Sequence, residues 1–217
     1  MIISPGRNFI FVHIPKTGGT SMALALEDRA HRDDILIGDT PKAQRRKGRL
    51  KGLTPRGRLW KHATLADIDG VLTPGQIAGM LVFTMVRNPW DRMVSYYHWL
   101  QDQTFAHPAV ALAKTLNFAD FLRHDETAKS VSKWPYPRYV TDATGTERPA
   151  LFLRLEHLET DIAPLADHLG FMPDLPHANR SNRDAYQMYY TDDLAALVGR
   201  YCSADIGRFG YRFDIDQ

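Results

Sequence analysis

The chain has 217 residues, 44% of them hydrophobic and 24% charged, which fits a folded domain with a full core and excludes a disordered or low-complexity chain. Its one cysteine, Cys202, excludes an intrachain disulfide framework and a cysteine-cluster zinc site, and no apolar run approaches the roughly 18–20 residues a membrane-spanning helix needs. The formal net charge of +2 hides an asymmetry: nine Lys/Arg and no acid lie from Lys42 to Lys61, leaving 18 basic against 25 acidic side chains elsewhere. Such a segment suits either a solvated loop or an anionic partner.

Met1 to Arg7 meets Pro5 and Gly6 too early to hold the apolar stretch of a signal peptide, so a reducing, cytoplasmic setting is expected. Asn8 to Ile14 is a short β-rich apolar run bounded by turn residues and predicts a buried strand. Pro15 to Ser21 is a glycine-containing turn, and Met22, Ala25 and Leu26 then recur at helical spacing, so a helix opens near Gly19 or Thr20. Residues 38–61 show little apolar periodicity and read as a basic insertion. Thr73-Pro74 matches an N-cap followed by proline in the first turn. Met80 to Val86 predicts a second buried strand, and Asn88-Pro89 a second helix start. Trp90, Met93, Val94 and Tyr97 form that helix's buried stripe. Residues 125–149 read as polar and turn-rich, Leu151 to Leu153 as a short strand, and 160–169 and 191–201 as helices. Buried strands alternating with helices argue one α/β domain over 1–217 with a mainly parallel sheet.

Two stretches carry the chemistry. In His13-Ile14-Pro15-Lys16-Thr17-Gly18-Gly19-Thr20-Ser21 a strand ends, two glycines allow a tight turn, and a helix begins. Helix-start N–H groups and the helix dipole attract an anion, and glycine lets the backbone come close to it. Lys16 adds a charge, and Thr17, Thr20 and Ser21 add hydroxyls. This is not a Walker A loop, which places Lys after the last glycine; here Lys16 precedes both, and the second strand runs into Arg87 rather than an acid suited to magnesium. In the second stretch, Val86 to Tyr97, the polar residues Asn88, Asp91, Arg92 and Ser95 line up beside the buried stripe. Arg87, where the strand meets the helix start, suits a phosphate gripped through two parallel bonds, with Ser95 adding a hydroxyl. Arg92 is expected in an ion pair with Asp91.

These two stretches, in this order and about seventy residues apart, resemble the two cofactor signatures of sulfotransferases that use 3′-phosphoadenosine 5′-phosphosulfate (PAPS), above all the carbohydrate branch with its heparan and chondroitin enzymes and bacterial relatives. Leu153 to Asp161 and Asp205 to Tyr211 also look familial. The resemblance implies a P-loop-like three-layer α/β/α fold and metal-independent transfer of a sulfuryl group to a hydroxyl of a glycan or small molecule. By that resemblance Pro15, Lys16, Thr17, Gly18, Gly19, Thr20 and Ser21 cradle the 5′-phosphosulfate, Arg87 and Ser95 hold the 3′-phosphate, and Lys16 stabilises the leaving phosphate. Arg180 and Ser181 fall where a late cofactor loop is expected. Golgi members carry a membrane anchor and disulfides; neither is seen here, which points to a bacterial-type soluble enzyme.

Transfer to an alcohol also needs a base. His62, which closes the basic segment before a short helix, is the choice, with Lys61 tending to keep it neutral. His13 is expected to orient the loop, His98 to be structural, and Glu27 and Asp67 to be weaker candidates. The basic segment would steer an anionic acceptor such as a polysaccharide, with Trp60, Trp134, Tyr136 or Tyr139 stacking on sugar faces; no nucleic-acid partner is expected. The alternatives are a kinase-like phosphotransferase, which lacks its Gly-Lys-Ser/Thr and acidic strand end, and a non-catalytic polyanion-binding protein, which would leave the two loops unexplained.

Overall fold

The apolar runs expected as strands form the middle of a five-stranded sheet. The structure, a computed structural model, describes residues 1–176 and 184–213. In chain order the elements are β1 (Ile2–Ser4), β2 (Phe9–Val12), α1 (Gly19–Asp28), β3 (Ile35–Leu36), α2 (Pro41–Arg46), α3 (Pro74–Ala78), β4 (Leu81–Val86), α4 (Pro89–Gln101), α5 (Pro108–Thr115), α6 (Phe118–Arg123), α7 (Asp125–Lys133), α8 (Tyr136–Tyr139), β5 (Ala150–Arg154), α9 (Leu158–Asp161), α10 (Ala163–Leu169), α11 (Asp192–Tyr201) and α12 (Ser203–Phe209). The strand order is β3-β1-β2-β4-β5. β2, β4 and β5 pair in parallel, in the register Ile10 with Val82 and Thr84 with Phe152. β1 is antiparallel to both β2 and β3, so every strand but β1 runs one way and the sheet is mainly parallel, as expected.

The residues group into two compact units: Met1–Val86 with Tyr136–Asn179, and Arg87–Pro135 with Arg180–Gln217. In the first, the pleat sends Ile2, Phe9, Phe11, Phe83, Met85 and Leu153 to one face, where they pack with Met22, Ala23 and Leu26 of α1 and Leu165 and Leu169 of α10. Ile10, Val12, Val82 and Val86 alternate with them and are also buried. A sheet buried on both faces accounts for the near-continuous apolar runs in β2 and β4. α10 ends on Gly170 at φ 73°, the left-handed stop that glycine permits.

In the second unit α4 buries Trp90, Met93, Val94, Tyr97 and Leu100, extending the stripe read from the sequence. The Trp90 indole donates to the Ala195 carbonyl (2.9 Å) and the Tyr97 hydroxyl to that of Leu116 (2.8 Å), so the polar tips of both are satisfied. Thr191 caps α11 through the Leu194 amide.

One expectation changes: residues 125–149 are not turn-rich throughout, since they contain α7 and α8. The basic stretch 38–61 carries local structure of its own. Thr40 caps α2 by accepting from the Ala43 amide, a 3₁₀ turn follows over Lys47–Gly52, and Arg46 and Arg49 donate to the carbonyls of His31 and Arg32.

Candidate active site

The loop between β2 and α1 has the geometry that its composition suggested. Gly18 is the N-cap of α1 at φ 85° with no side-chain cap, and Lys16 is also left-handed at φ 67°. Held αL conformations outside glycine are uncommon and concentrate where a backbone is shaped for a ligand. Space as well as torsion demands the glycines. A Cβ on Gly18 would come within 3.0 Å of Leu155, and one on Gly19 within 2.2 Å of the His13 ring. The Ser21 and Met22 amides return to the Gly18 carbonyl, while the earlier amides of the turn have no helix carbonyl behind them. The residues therefore fit an anion held by backbone N–H groups. Thr17 departs from the expected role: it is fully buried and its hydroxyl donates to the Ile14 carbonyl at 2.9 Å, so that donor braces the loop instead of facing a ligand. Thr20 and Ser21 are partly exposed at the first turn of α1.

His62 is brought to the end of β2. Its Nδ1 lies 2.8 Å from the His13 carbonyl, and a carbonyl can only accept, so Nδ1 carries the proton and Nε2 keeps its lone pair. The two imidazoles meet edge to face with centroids 4.7 Å apart, and Trp60 approaches His62 likewise at 5.0 Å. Burial, more than Lys61, lowers the His62 pKa to about 3; burial also holds His13 well below its ordinary value. Both rings are neutral at physiological pH. Lys61 is turned to Asp39 at 2.6 Å. Trp60 is 41% exposed with the Arg58 guanidinium 5.4 Å from its ring centre.

The other candidates have structural partners. Glu27 is buried and accepts from the Thr40 hydroxyl at 2.6 Å; burial raises its pKa, with Thr40 and Lys42 pulling the other way. Asp67 accepts from the amide and hydroxyl of Thr64. Tyr136 and Tyr139 are buried and belong to the core, leaving them out of sugar stacking.

In the second unit Asn88 caps α4 by accepting from the Trp90 amide (3.1 Å), and Pro89 occupies its first position. Asp91 pairs with Arg87, not with Arg92 as expected: Nε and Nη2 of Arg87 lie 2.7 and 2.6 Å from one Asp91 oxygen. The pair fixes the plane of the guanidinium, which has five N–H donors in all. Ser95, one turn on from Asp91, is 9% exposed.

A family model described as "Sulfotransferase family" matches residues 1–211. The chain belongs to the sulfotransferase family. It is a PAPS-dependent transferase, and the kinase-like and polyanion-binding alternatives give way to that assignment. Among solved structures the sulfotransferase is similar to mouse sulfotransferase SULT7A1 complexed with PAP, at 18% identity over 94% of this chain and 67% of that one, with a TM-score of 0.43. A likeness that distant fixes neither substrate nor site. A search of curated proteins finds no match. Among the described residues of the sulfotransferase no helix is long and apolar enough to cross a membrane. Arg180 and Ser181 lie outside the described residues.

Two contacts of these candidate residues were not legible in the sequence. One is the His13 carbonyl, which sets the His62 tautomer from 49 positions away. The other is Thr40, whose hydroxyl meets a carboxylate 13 positions earlier. Only the Thr-Pro helix start at 40–41 hinted at the second, and nothing in the sequence hinted at the first.

Proposed function

We propose that this sulfotransferase moves the sulfuryl group of PAPS to a hydroxyl of a glycan acceptor, with His62 as the base and Lys16 on the departing phosphate. The observation that carries the reading is the His62 geometry: Nδ1–H is tied to the carbonyl that precedes the donor loop, and Nε2 keeps its lone pair. His62 Nε2 takes the acceptor proton as the hydroxyl oxygen bonds to sulfur. Lys16 and the Gly18, Gly19 and Thr20 amides meet the charge that develops on the phosphate as its bond to sulfur breaks. The products are the sulfated acceptor, 3′-phosphoadenosine 5′-phosphate and a proton. Pro15 to Ser21 cradle the 5′ end, with Thr17 acting as a brace, and Arg87 and Ser95 hold the 3′-phosphate. No step calls for a cation, so a chelator leaves turnover unchanged.

The half-exposed Trp60, with Arg58 over its ring, supports a sugar acceptor bearing negative charge. The test is sulfate transfer from labelled donor to a panel of neutral glycans, acidic polysaccharides and simple alcohols. Preference for the acidic polysaccharides supports the reading. Transfer to simple alcohols alone overturns the acceptor class, and transfer to nothing overturns the whole.

A further inference from the structure

His13 stands where the two halves of the chemistry meet within the first unit, and the family assignment gives it no task. Its carbonyl accepts the Nδ1–H of His62 at 2.8 Å. Its ring is buried, lies 5.9 Å from Phe11 at an interplanar angle of 21°, and meets the His62 ring edge to face at 4.7 Å. The opposite contact is with the donor loop. An added Cβ on Gly19 would stand 2.2 Å from Cδ2 and 2.6 Å from Nε2 of His13, so the imidazole fills the space beneath the first residue of α1. A small cavity beside it is lined by Thr20 of that first turn, by Glu27, and by Asp39, Thr40 and Lys61 of the segment that leads to His62. One rigid ring therefore touches the loop on one side and the base on the other, and the peptide that carries it sets the tautomer of the base.

We propose that His13 is a positioning residue: by shape it holds the spacing between the donor loop and His62, and it acts on transfer only through His62. This rests on the reading of His62 as base. The ring works as a wedge and needs no charge. A flat ring of similar size can replace it, whereas a methyl group cannot. Removing the ring lets the His13 carbonyl drift, so that Nε2 of His62 no longer meets the acceptor proton in line with the sulfur.

The experiment is a double-mutant cycle on the full chain, with kcat expressed per site titrated by 3′-phosphoadenosine 5′-phosphate, so that unfolded protein does not count. His13→Ala is expected to lower kcat on the order of tenfold to a hundredfold, the size of effect a misplaced catalytic group gives, with bisphosphate affinity and acceptor KM nearly unchanged. His13→Phe is expected to restore most of it. In the His62→Ala background, His13→Ala is expected to cost nothing more. Ring ¹⁵N shifts are expected to show the Nδ1–H tautomer of His62 in the wild type and in His13→Phe, and a tautomer mixture in His13→Ala. A normal kcat per site in His13→Ala overturns the proposal, as do losses that multiply with those of His62→Ala. If His13→Ala does not fold, a kcat of His13→Phe as low as that of His62→Ala overturns it, and a near-normal one supports it. Full turnover in His62→Ala instead sinks the base assignment itself, which is a separate failure.

Discussion

Two helices of this sulfotransferase follow directly on parallel strands, and their first turns are finished in different ways. α1 begins at a left-handed glycine with no side-chain cap. α4 begins at Asn88, whose side chain takes up the Trp90 amide, and continues with Pro89, which has no amide to offer. In the proposed reading the first start meets an anion with backbone, whereas at the second one amide is taken by the cap, so that anion binding there falls to side chains, of which Arg87 is paired with Asp91. That reading would account for the two sequence signatures: glycines where the main chain is the ligand, and Arg and Ser where it is not.

The sharpest way to break that contrast is to remove the two groups proposed to carry the transfer. His62→Ala is expected to lower turnover on the order of 10²–10⁴-fold, the usual worth of a positioned base, and to leave bisphosphate affinity nearly unchanged. Retained turnover in titrated sites would move the base elsewhere. Lys16→Ala is expected to lower kcat on the order of 10²–10³-fold, as loss of one charge-stabilising donor does, and to weaken bisphosphate binding much less. Equal losses in both would reduce Lys16 to a binding residue.

The two helix starts can then be tested against each other. Gly18→Ala places a side chain at φ 85° against Leu155. It is expected to cost about 1–2 kcal/mol of stability from the left-handed conformation alone and to weaken the bisphosphate strongly. Asn88→Ala is expected to cost about 1 kcal/mol through the lost cap, with bisphosphate affinity kept. Thermal unfolding and calorimetric titration of both variants decide it; similar binding losses in the two would end the distinction.

The smallest effect is in pH dependence. His62 is lowered from 6.5 to about 3 in the folded chain, chiefly by burial. Between those values the unfolded chain binds the extra proton, so stability falls as pH drops below 6.5 and is recovered as pH rises through it. From pH 7.5 to 5.5 the His62 share is about 1.4 kcal/mol, and His13 acts in the same direction. Denaturant unfolding at the two pH values is expected to show a smaller loss in His62→Gln than in the wild type. An identical loss would mean that His62 titrates normally in the fold.

Much of this fold was legible because its main signals are local. Asn-Pro and Thr-Pro announced helix starts, and the apolar runs of β2 and β4 announced buried strands. β1 and β3 were not legible, since strands of three and two residues have no periodicity and exist through pairings such as Ile2 with Phe11 and Ile2 with Leu36. α7 was hidden by its polar composition; Thr127 is the buried residue along its length. At the candidate site, the turn between β2 and α1 could be read from its glycines. The Asp91 partner could not be, because Arg87 and Arg92 are both close to it in sequence and only the rotamer chooses. The His62 tautomer depends on a carbonyl far along the chain, and no pattern in one sequence encodes that distance.

The Thr40 hydroxyl does two jobs at once, serving the buried Glu27 carboxylate and capping α2. Lys42, one residue into α2, reaches back to the Glu27 carbonyl. Anyone exchanging the basic stretch of this scaffold for another should therefore splice after Lys42 and not at Gly38. A cut at Gly38 would strand a carboxylate in the interior and unmoor α1, so the chimera would fail for reasons unrelated to the acceptor.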